Sequence, residues 1–410
     1  WCIPIGADVH DLTIDTVLIA ALTGRTLAAS ARRAEFIPLV VDAFGDEDTR
    51  AHAGATRFLK SALRTGFRQR TLLAALAAVE REATRPAIGL VLGSGFEAAP
   101  KLTAALARRY SLLGNGPHAI DRSKNPVTLF PLLNSLGVPH PAWRLEAPQD
   151  MSGWLRKRTG GSGGTHITSC TNETRGCQDC YFQRVITGTA LSVLAVADYE
   201  RVNVVGISRQ WCAGVEPRPY RYGGATGPFR PEPSVEAAMI ANVTTVARAL
   251  GLIGLLSFDF MLAGDTTYLL DVNPRPSATL DIFDDEAGSL FRAHVAACAG
   301  EKANLISQRA QGARAAAILY ADESPLTVNP FVWPNWVADR PRTGTRIPQA
   351  FPIATVFGEG IDAADAELKC RERLDELSHM LYGRARDRER INAKAYRAIS
   401  ERFSASGQTR

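Results

Sequence analysis

LIGLLSFDFMLAGDTTYLLDVNPRPSATLDI, residues 252–282, holds two short apolar runs on either side of Gly264-Asp265-Thr266. Paired as a hairpin across that three-residue turn, they set Asp259 opposite Asp271 and Ser257 opposite Asn273. The parity agrees with this register. Phe258, Phe260, Leu262, Tyr268, Leu270 and Val272 fall on one apolar face, and Ser257, Asp259, Met261, Leu269, Asp271 and Asn273 on the other. Two carboxylates directly across a ladder lie roughly 5 Å apart and repel, so the pairing implies a cation between them. Two Asp and one Asn are hard oxygen donors suited to Mg²⁺, or Mn²⁺, which keeps several waters and completes its shell with phosphate oxygens. The bland alternative makes one Asp a solvated turn residue and the other a helix cap. Asn273-Pro274-Arg275-Pro276-Ser277 then forms a rigid loop. Its Arg275 presents a forked cation able to clamp a γ-phosphate, a carboxylate or an acyl phosphate, unless it is simply an exposed loop arginine.

The 410 residues are 46% hydrophobic and 22% charged, an ordinary soluble composition with room for two or three domains. The net charge of +5, from 47 basic and 42 acidic residues, is too even to argue for nucleic acid and favours small anionic partners. The longest apolar runs, such as residues 17–22, are far short of the roughly 20 residues that span a bilayer, and no leader peptide opens the chain. The expectation is a cytoplasmic protein with no membrane partner, and nothing argues against a homodimer. The chain begins at Trp1, not Met, so the native start need not be present. Seven cysteines, an odd count, suggest a reducing compartment with no disulfide framework. Cys2, Cys212, Cys298 and Cys370 read as scattered small hydrophobes. Cys177-x-x-Cys180, with Cys170 and His166 nearby, has zinc-knuckle spacing but lacks a partner C-x-x-C, so a structural metal and three unpaired thiols both stay open.

In chain order, residues 17–22 and 36–41 read as strands flanking a helix at 26–34, and helical material is expected at 57–63 and 71–82. A third buried strand at 88–92 leads into a helix that ends near Arg109. The first 120 residues are therefore an open parallel α/β domain. Gly93-x-Gly95-x-x-Ala98 has the form of a dinucleotide fingerprint, although it follows the third strand instead of the first and no acid ends a following strand at the right distance. A tight turn explains it as well. Lys124 sits on a turn before a helix of about twelve residues.

The basic strand around Lys157 then enters Gly160-Gly161-Ser162-Gly163-Gly164. A flexible hairpin of this kind can close its backbone N–H groups over phosphates. Residues 181–186, 190–196 and 202–208 read as strands. Residues 218–228 form a basic, glycine-rich loop in which Arg221, Tyr222, Gly223 and Gly224 suit an anionic substrate, against the alternative of a plain surface loop. Ser234 caps a helix that Gly251 ends. Further strands at 315–320 and 353–357 precede an amphipathic helix with Leu368, Leu374, Leu377 and Leu381 on one stripe, and the tail from Arg384 is charged, solvated helix.

Lys124, Lys157 with its glycine loop, the strand at 181–186, Asp259 and Asp271-x-Asn273-x-Arg275 together resemble the ATP-grasp superfamily of carboxylate-amine ligases, over residues 121–282. The resemblance implies an α/β chain with four parts: a Rossmann-like domain at 1–120, a lid subdomain at 121–190, a large subdomain with the metal and phosphate site at 191–300, and an α+β segment at 301–410 completing the core. It further implies that Lys124 and Lys157 contact ATP phosphates under a cover of Gly160, Gly161, Ser162, Gly163 and Gly164. Gln183 and the backbone of Arg184, Val185 and Ile186 would meet the adenine, and Asp259, Asp271 and Asn273 would hold Mg²⁺. Arg275 and Lys157 would act on the transferring phosphoryl group.

The sequence departs from the family where Gln183 stands in place of a common Glu, where Ala190 replaces an acid that often holds ribose, and where Asp271 replaces a common Glu. The phrases SGFEAAP, LLGN, GGTHI, YFQRVITGTALS, RYGGATGP, SFDFML and DVNPRPSATLD are similar to ATP-grasp proteins of tetrahydromethanopterin-dependent one-carbon metabolism, including the tyramine-glutamate ligases of methanofuran- or methylofuran-type cofactor synthesis. That likeness implies a small carboxylate such as glutamate joined to an aromatic amine through an acyl phosphate. No Ser/His/Asp or Cys/His set suggests a side-chain nucleophile. The rivals are a non-catalytic nucleotide-binding module and a nicotinamide-dependent oxidoreductase built on Gly93-x-Gly95.

Overall fold

The computed structural model describes residues 14–171, 173–305 and 312–383. Cys2 and the tail expected from Arg384 lie outside the described residues. The first sheet is parallel, in the order Ala55–Phe58, Ile37–Asp42, Thr16–Ala20, Ala87–Leu92. Successive side chains of a strand point to opposite faces, and both faces of this sheet are dry. Leu18, Ala20, Leu39, Val41 and Leu92 pack on Leu72, Leu76 and Leu106 of the helices. Val17, Ile19, Val40 and Val91 pack the other way, on Leu194, Val196 and Leu255 of a second sheet and on Phe291 of the helix Ser289–Cys298. The strand Ala55–Phe58 replaces the start of the helix expected at 57–63. It is a four-residue edge strand with two polar residues, too short to show a period.

The second sheet has eight strands in the order Thr266–Asn273, Gly254–Ala263, Thr189–Ala197, Val202–Cys212, Tyr222–Gly227, Ala313–Tyr320, Pro352–Gly360, Val337–Ala338. The helix Pro233–Leu250 lays Val235, Met239, Val243, Val246 and Leu250 on it, and Gly251 at φ 64 ends the helix in the left-handed region. Residues 313–360 continue this same sheet. The expected loop at 218–228 instead contains the strand Tyr222–Gly227. Its Gly224 passes so close to Trp211 and Ala316 that a Cβ would lie 2.5 Å from the indole, and this close backbone approach is what makes a strand read as a loop. On the last helix, Ala363–Tyr382, Ala366, Cys370, Leu374 and Leu377 face the core, while Leu368 is exposed and off the stripe. Arg25 ties the first domain to the rest, pairing with Asp281 and Asp339 at 2.5 and 2.8 Å.

A third, antiparallel sheet has the order Trp143–Arg144, Cys180–Arg184, Trp154–Arg158, Ile167–Ser169. Lys157 pairs with Tyr181 and Leu155 with Gln183, so these four side chains share one face.

Candidate active site

The hairpin has the expected pairing at its base, Asp259 opposite Asp271 and Ser257 opposite Asn273. Its tip differs. The turn is the two-residue Gly264-Asp265, with Ala263 paired to Thr266 and Gly264 at φ 56, and a bulge between Asp259 and Phe260 restores the register. The bulge absorbs Leu270, so Leu269 turns into the core beside Phe260.

Asp259 Oδ1 accepts from Ser192 Oγ at 2.7 Å and Gln210 Nε2 at 3.3 Å, and Oδ2 accepts from Asn273 Nδ2 at 3.0 Å. Asp271 accepts from Lys124 Nζ at 2.7 Å, and the same ammonium donates to Asn273 Oδ1 at 2.9 Å. The cation that the facing carboxylates require is thus supplied by Lys124, which ends the helix Pro117–Lys124 and does not sit on a turn. One ammonium against two carboxylates leaves a negative charge in place. Burial, and after it Asp271, accordingly pushes the Asp259 carboxyl above its ordinary range. This surplus charge among hard oxygen donors fits a divalent cation held by Asp259, Asp271 and Asn273. No group of three His, Cys, Asp or Glu side chains able to hold a metal exists among the described residues.

Facing the hairpin, Lys157 is buried on the third sheet and donates to Gln183 Oε1 at 3.0 Å. Burial lowers its proton affinity, opposed by Asp271 and aided by Lys124. Gln183 Nε2 and His166 Nδ1 are buried with no protein partner among the described residues. Lys157 and His166 feel the charges of Lys124 and Asp271, so two orphaned polar atoms, two lysines and an acidic pair lie near one another, and orphans of this kind are costly unless a ligand meets them. The glycine loop is anchored on both sides. Gly160 lies on the Glu97-Ala98 backbone, where a Cβ would come 2.6 Å from Ala98 Cα, and the Gly163 carbonyl accepts from Tyr222 N at 3.0 Å. Ser162 sits between these anchors. The amides of Arg184 and Val185 are taken by the Ala142 and Gly153 carbonyls, so they are not free for a base, and the Arg184 side chain is exposed. Ile186 follows at the strand's exit.

Arg275 does not stand free beside the hairpin. Its Nε donates to Glu97, and its Nη1 donates to the Pro276 carbonyl at 2.9 Å. The other oxygen of Glu97 accepts from Gly95 N at 2.8 Å and Phe96 N at 2.9 Å. Burial opposes ionisation of Glu97, but the charges of Arg275 and Lys124 and the backbone donors outweigh it and hold the carboxyl at about 2. This contact removes the dinucleotide reading of Gly93-x-Gly95. The amides that would receive a pyrophosphate are satisfied by Glu97, and Gly93 is pressed against Ala21.

Arg221 is also spent on the protein. It forks onto Asp322 at 2.7 and 2.9 Å, donates to the Ala213 carbonyl and stacks 3.6 Å from the Tyr320 ring. It therefore braces its segment and is not available to a substrate, while Gly223 and Gly224 are buried in the sheet. Tyr222 is closer to the site. Burial, then Asp259, raises its phenol well above the ordinary value. Cys177 and Cys180 are joined to each other as a local disulfide and Cys170 is free, so the zinc-knuckle spacing carries no thiolate pair for a metal. Sequence reasoning missed Glu97, Ser192 and Gln210. Ser192 had a signal, as the lone polar residue inside an apolar strand, and so did Glu97, as the lone acid of its turn.

Residues 125–279 match the family model described as ATP-grasp domain. Solved structures share the fold over almost the whole chain. N5-carboxyaminoimidazole synthetase from Staphylococcus aureus, complexed with ADP, is similar at 14% identity and TM-score 0.62, covering 88% of this chain and 97% of that one. A biotin carboxylase in complex with β,γ-ATP from Campylobacter jejuni aligns at 15% and 0.67, covering 89% and 91%. An L-amino acid ligase from Bacillus licheniformis aligns at 14% and 0.63, covering 88% and 97%.

Proposed function

We propose that this protein is an ATP- and Mg²⁺-dependent, ADP-forming carboxylate-amine ligase that activates a small carboxylate as an acyl phosphate and joins it to an amine. The observation that carries the reading is the facing Asp259 and Asp271 pair, closed over by Lys157, Gln183 and the glycine loop. The match of residues 125–279 to the ATP-grasp domain supports it. Within that reading, the acid is an amino acid such as glutamate and the amine is aromatic, as in methanofuran- or methylofuran-type cofactor synthesis. The sequence phrases quoted above are its support. We also read the protein as cytoplasmic and free to form a homodimer. No helix among the described residues is long and apolar enough to cross a membrane.

In this chemistry a substrate carboxylate attacks the γ-phosphorus of ATP, releasing ADP, and the amine then displaces phosphate. Asp259, Asp271 and Asn273 would hold Mg²⁺, which would supply charge neutralisation of the phosphates. Lys124 and Lys157 add fixed positive charge, and Gln183 offers its orphaned N–H₂ to the base. The loop from Gly160 to Gly164 excludes water that would hydrolyse the acyl phosphate. Arg275, held by Glu97 and the Pro276 carbonyl, would have only Nη2 left to offer the transferring group.

The test is ADP release from ATP, screened over amino acids and amines in pairs, with glutamate and tyramine first. The reading expects release that needs both partners and Mg²⁺ and that falls at least a hundredfold in Asp271→Asn. Nucleotide binding with no stimulation by any pair would favour the non-catalytic module.

A further inference from the structure

Cys177 and Cys180, which hold no metal, bracket the backbone that anchors the glycine loop. Asp179, between them, accepts at its carbonyl from Thr159 N at 2.8 Å, and Thr159 is the residue that hands the strand Trp154–Arg158 over to Gly160. On that strand Lys157 pairs with Tyr181 and Arg158 with Cys180, so the second cysteine opens the strand that carries Gln183. Arg156 Nη1 donates to the Arg175 carbonyl at 3.1 Å and ties the same two segments again. The bond between Cys177 and Cys180 closes the turn over Asp179, which is otherwise held by one backbone hydrogen bond, Cys180 N to the Cys177 carbonyl at 3.1 Å. Breaking the bond frees the carbonyl on which Thr159 rests. The pair is also within reach of a reagent, since Cys177 is exposed and Cys180 half-buried. A disulfide between such near neighbours closes a very short loop and so gains little of the entropic stabilisation that longer loops give. In a reducing compartment, bonds of this kind are transient and serve redox sensing. Cys170 is free, and burial pushes its thiol above the ordinary value, so it stays protonated while the pair exchanges.

We propose that Cys177 and Cys180 are a reversible thiol–disulfide site whose oxidised form seats the glycine loop over the nucleotide and whose reduced form loosens it, an inference that rests on the loop's covering ATP phosphates. The reductant is a dithiol, small or protein-borne. One of its thiolates attacks Cys177 Sγ, and the S–S bond breaks with its electron pair leaving on Cys180, which then takes a proton. The second thiolate of the reductant displaces Cys177 from the mixed disulfide, and Cys177 takes a proton in turn. Two electrons and two protons pass to the pair, and the reductant departs as a disulfide. Oxidation by a disulfide of the same class runs these steps in reverse.

The experiment measures binding of ADP with Mg²⁺ by calorimetry, to the full chain in its oxidised form and after dithiothreitol, in wild type, Cys177→Ser/Cys180→Ser and Cys170→Ser. Thiol titration should show the oxidised wild type gaining two thiols on reduction and the double variant none; no gain in the wild type overturns the proposal. We expect reduction to weaken ADP binding about fivefold or more in wild type, the cost of ordering roughly one further residue, with the same response in Cys170→Ser. The double variant should bind at the reduced level under both conditions. Equal or tighter binding by the reduced wild type, a double variant that responds as the wild type does, or a response lost in Cys170→Ser overturns the proposal and leaves the ligase reading intact. Absence of ADP binding in both states removes the nucleotide reading and the proposal with it. If the double variant is unfolded, hydrogen exchange on the wild type decides: the Thr159 and Gly161 amides should exchange faster once the pair is reduced, and unchanged rates overturn the proposal.

Discussion

Replacing Glu97 by Gln should destabilise the protein by about 3 to 4 kcal/mol at pH 7, with a pH signature that identifies the cause. The buried carboxylate holds the Arg275 guanidinium and two backbone amides, and its proton affinity is lowered from the ordinary 4.5 to about 2. That drop of roughly 2.5 units, at about 1.4 kcal/mol per unit, gives the magnitude. The folded-state value lies below the unfolded one, so this stability is fully present above about pH 4.5 and is lost as pH falls toward 2. Glutamine keeps the backbone contacts and loses the charge, leaving Arg275 buried without its counter-ion. Urea unfolding of both proteins at stepped pH reads the difference directly. Stabilities within about 0.5 kcal/mol of each other at pH 7, or a gap that persists unchanged at pH 3, would refute the reasoning.

Asp42 and Asp46 are pushed up to about 7 and about 9, by burial first and by acidic neighbours including Asp339, against the backbone amides of Gly45 and Gly24 that lower Asp42, so the folded state binds protons that the unfolded chain releases. Stability should therefore decline as pH rises from about 4 through 9, and Asp42→Asn should flatten the lower part of that slope; a protein more stable at pH 9 than at pH 6 contradicts this. Gly164→Ala forces a Cβ to 1.8 Å from the Tyr220 carbonyl at φ 73, so ADP release should fall at least tenfold through a loop that cannot seat, with the thermal midpoint nearly unchanged. Arg221→Met should cost about 2 kcal/mol in urea unfolding, less than the usual loss for a buried pair because the half-exposed Asp322 is rehydrated; no loss would mean the bracing role is misread.

Much of this is legible in the sequence. Period-two patterning gave the Asp259 and Asp271 pairing, because one wrong step would have exposed Phe258 and Val272. It misplaced the tip, because a two-residue turn with a bulge and a three-residue turn deliver the same parity at the base. The strand Tyr222–Gly227 was hidden by its glycines, which serve backbone proximity and not a turn. Glu97 was illegible as a partner of Arg275 because the two lie 178 residues apart, and only the fold brings an ion pair of that separation together. Lys124 was identified as a site residue, but its bridge to Asp271 and Asn273 was not foreseen. The argument from repelling carboxylates demanded a cation, and the chain supplies one of its own.

The most direct test of the account is Mn²⁺ binding followed by electron paramagnetic resonance in the presence of ADP, on wild type, Asp259→Asn and Asp271→Asn. The account expects nucleotide-dependent Mn²⁺ binding by the wild type, weakened at least tenfold in each variant. Binding equal in all three proteins would contradict the claim that the facing aspartates grip the metal nucleotide.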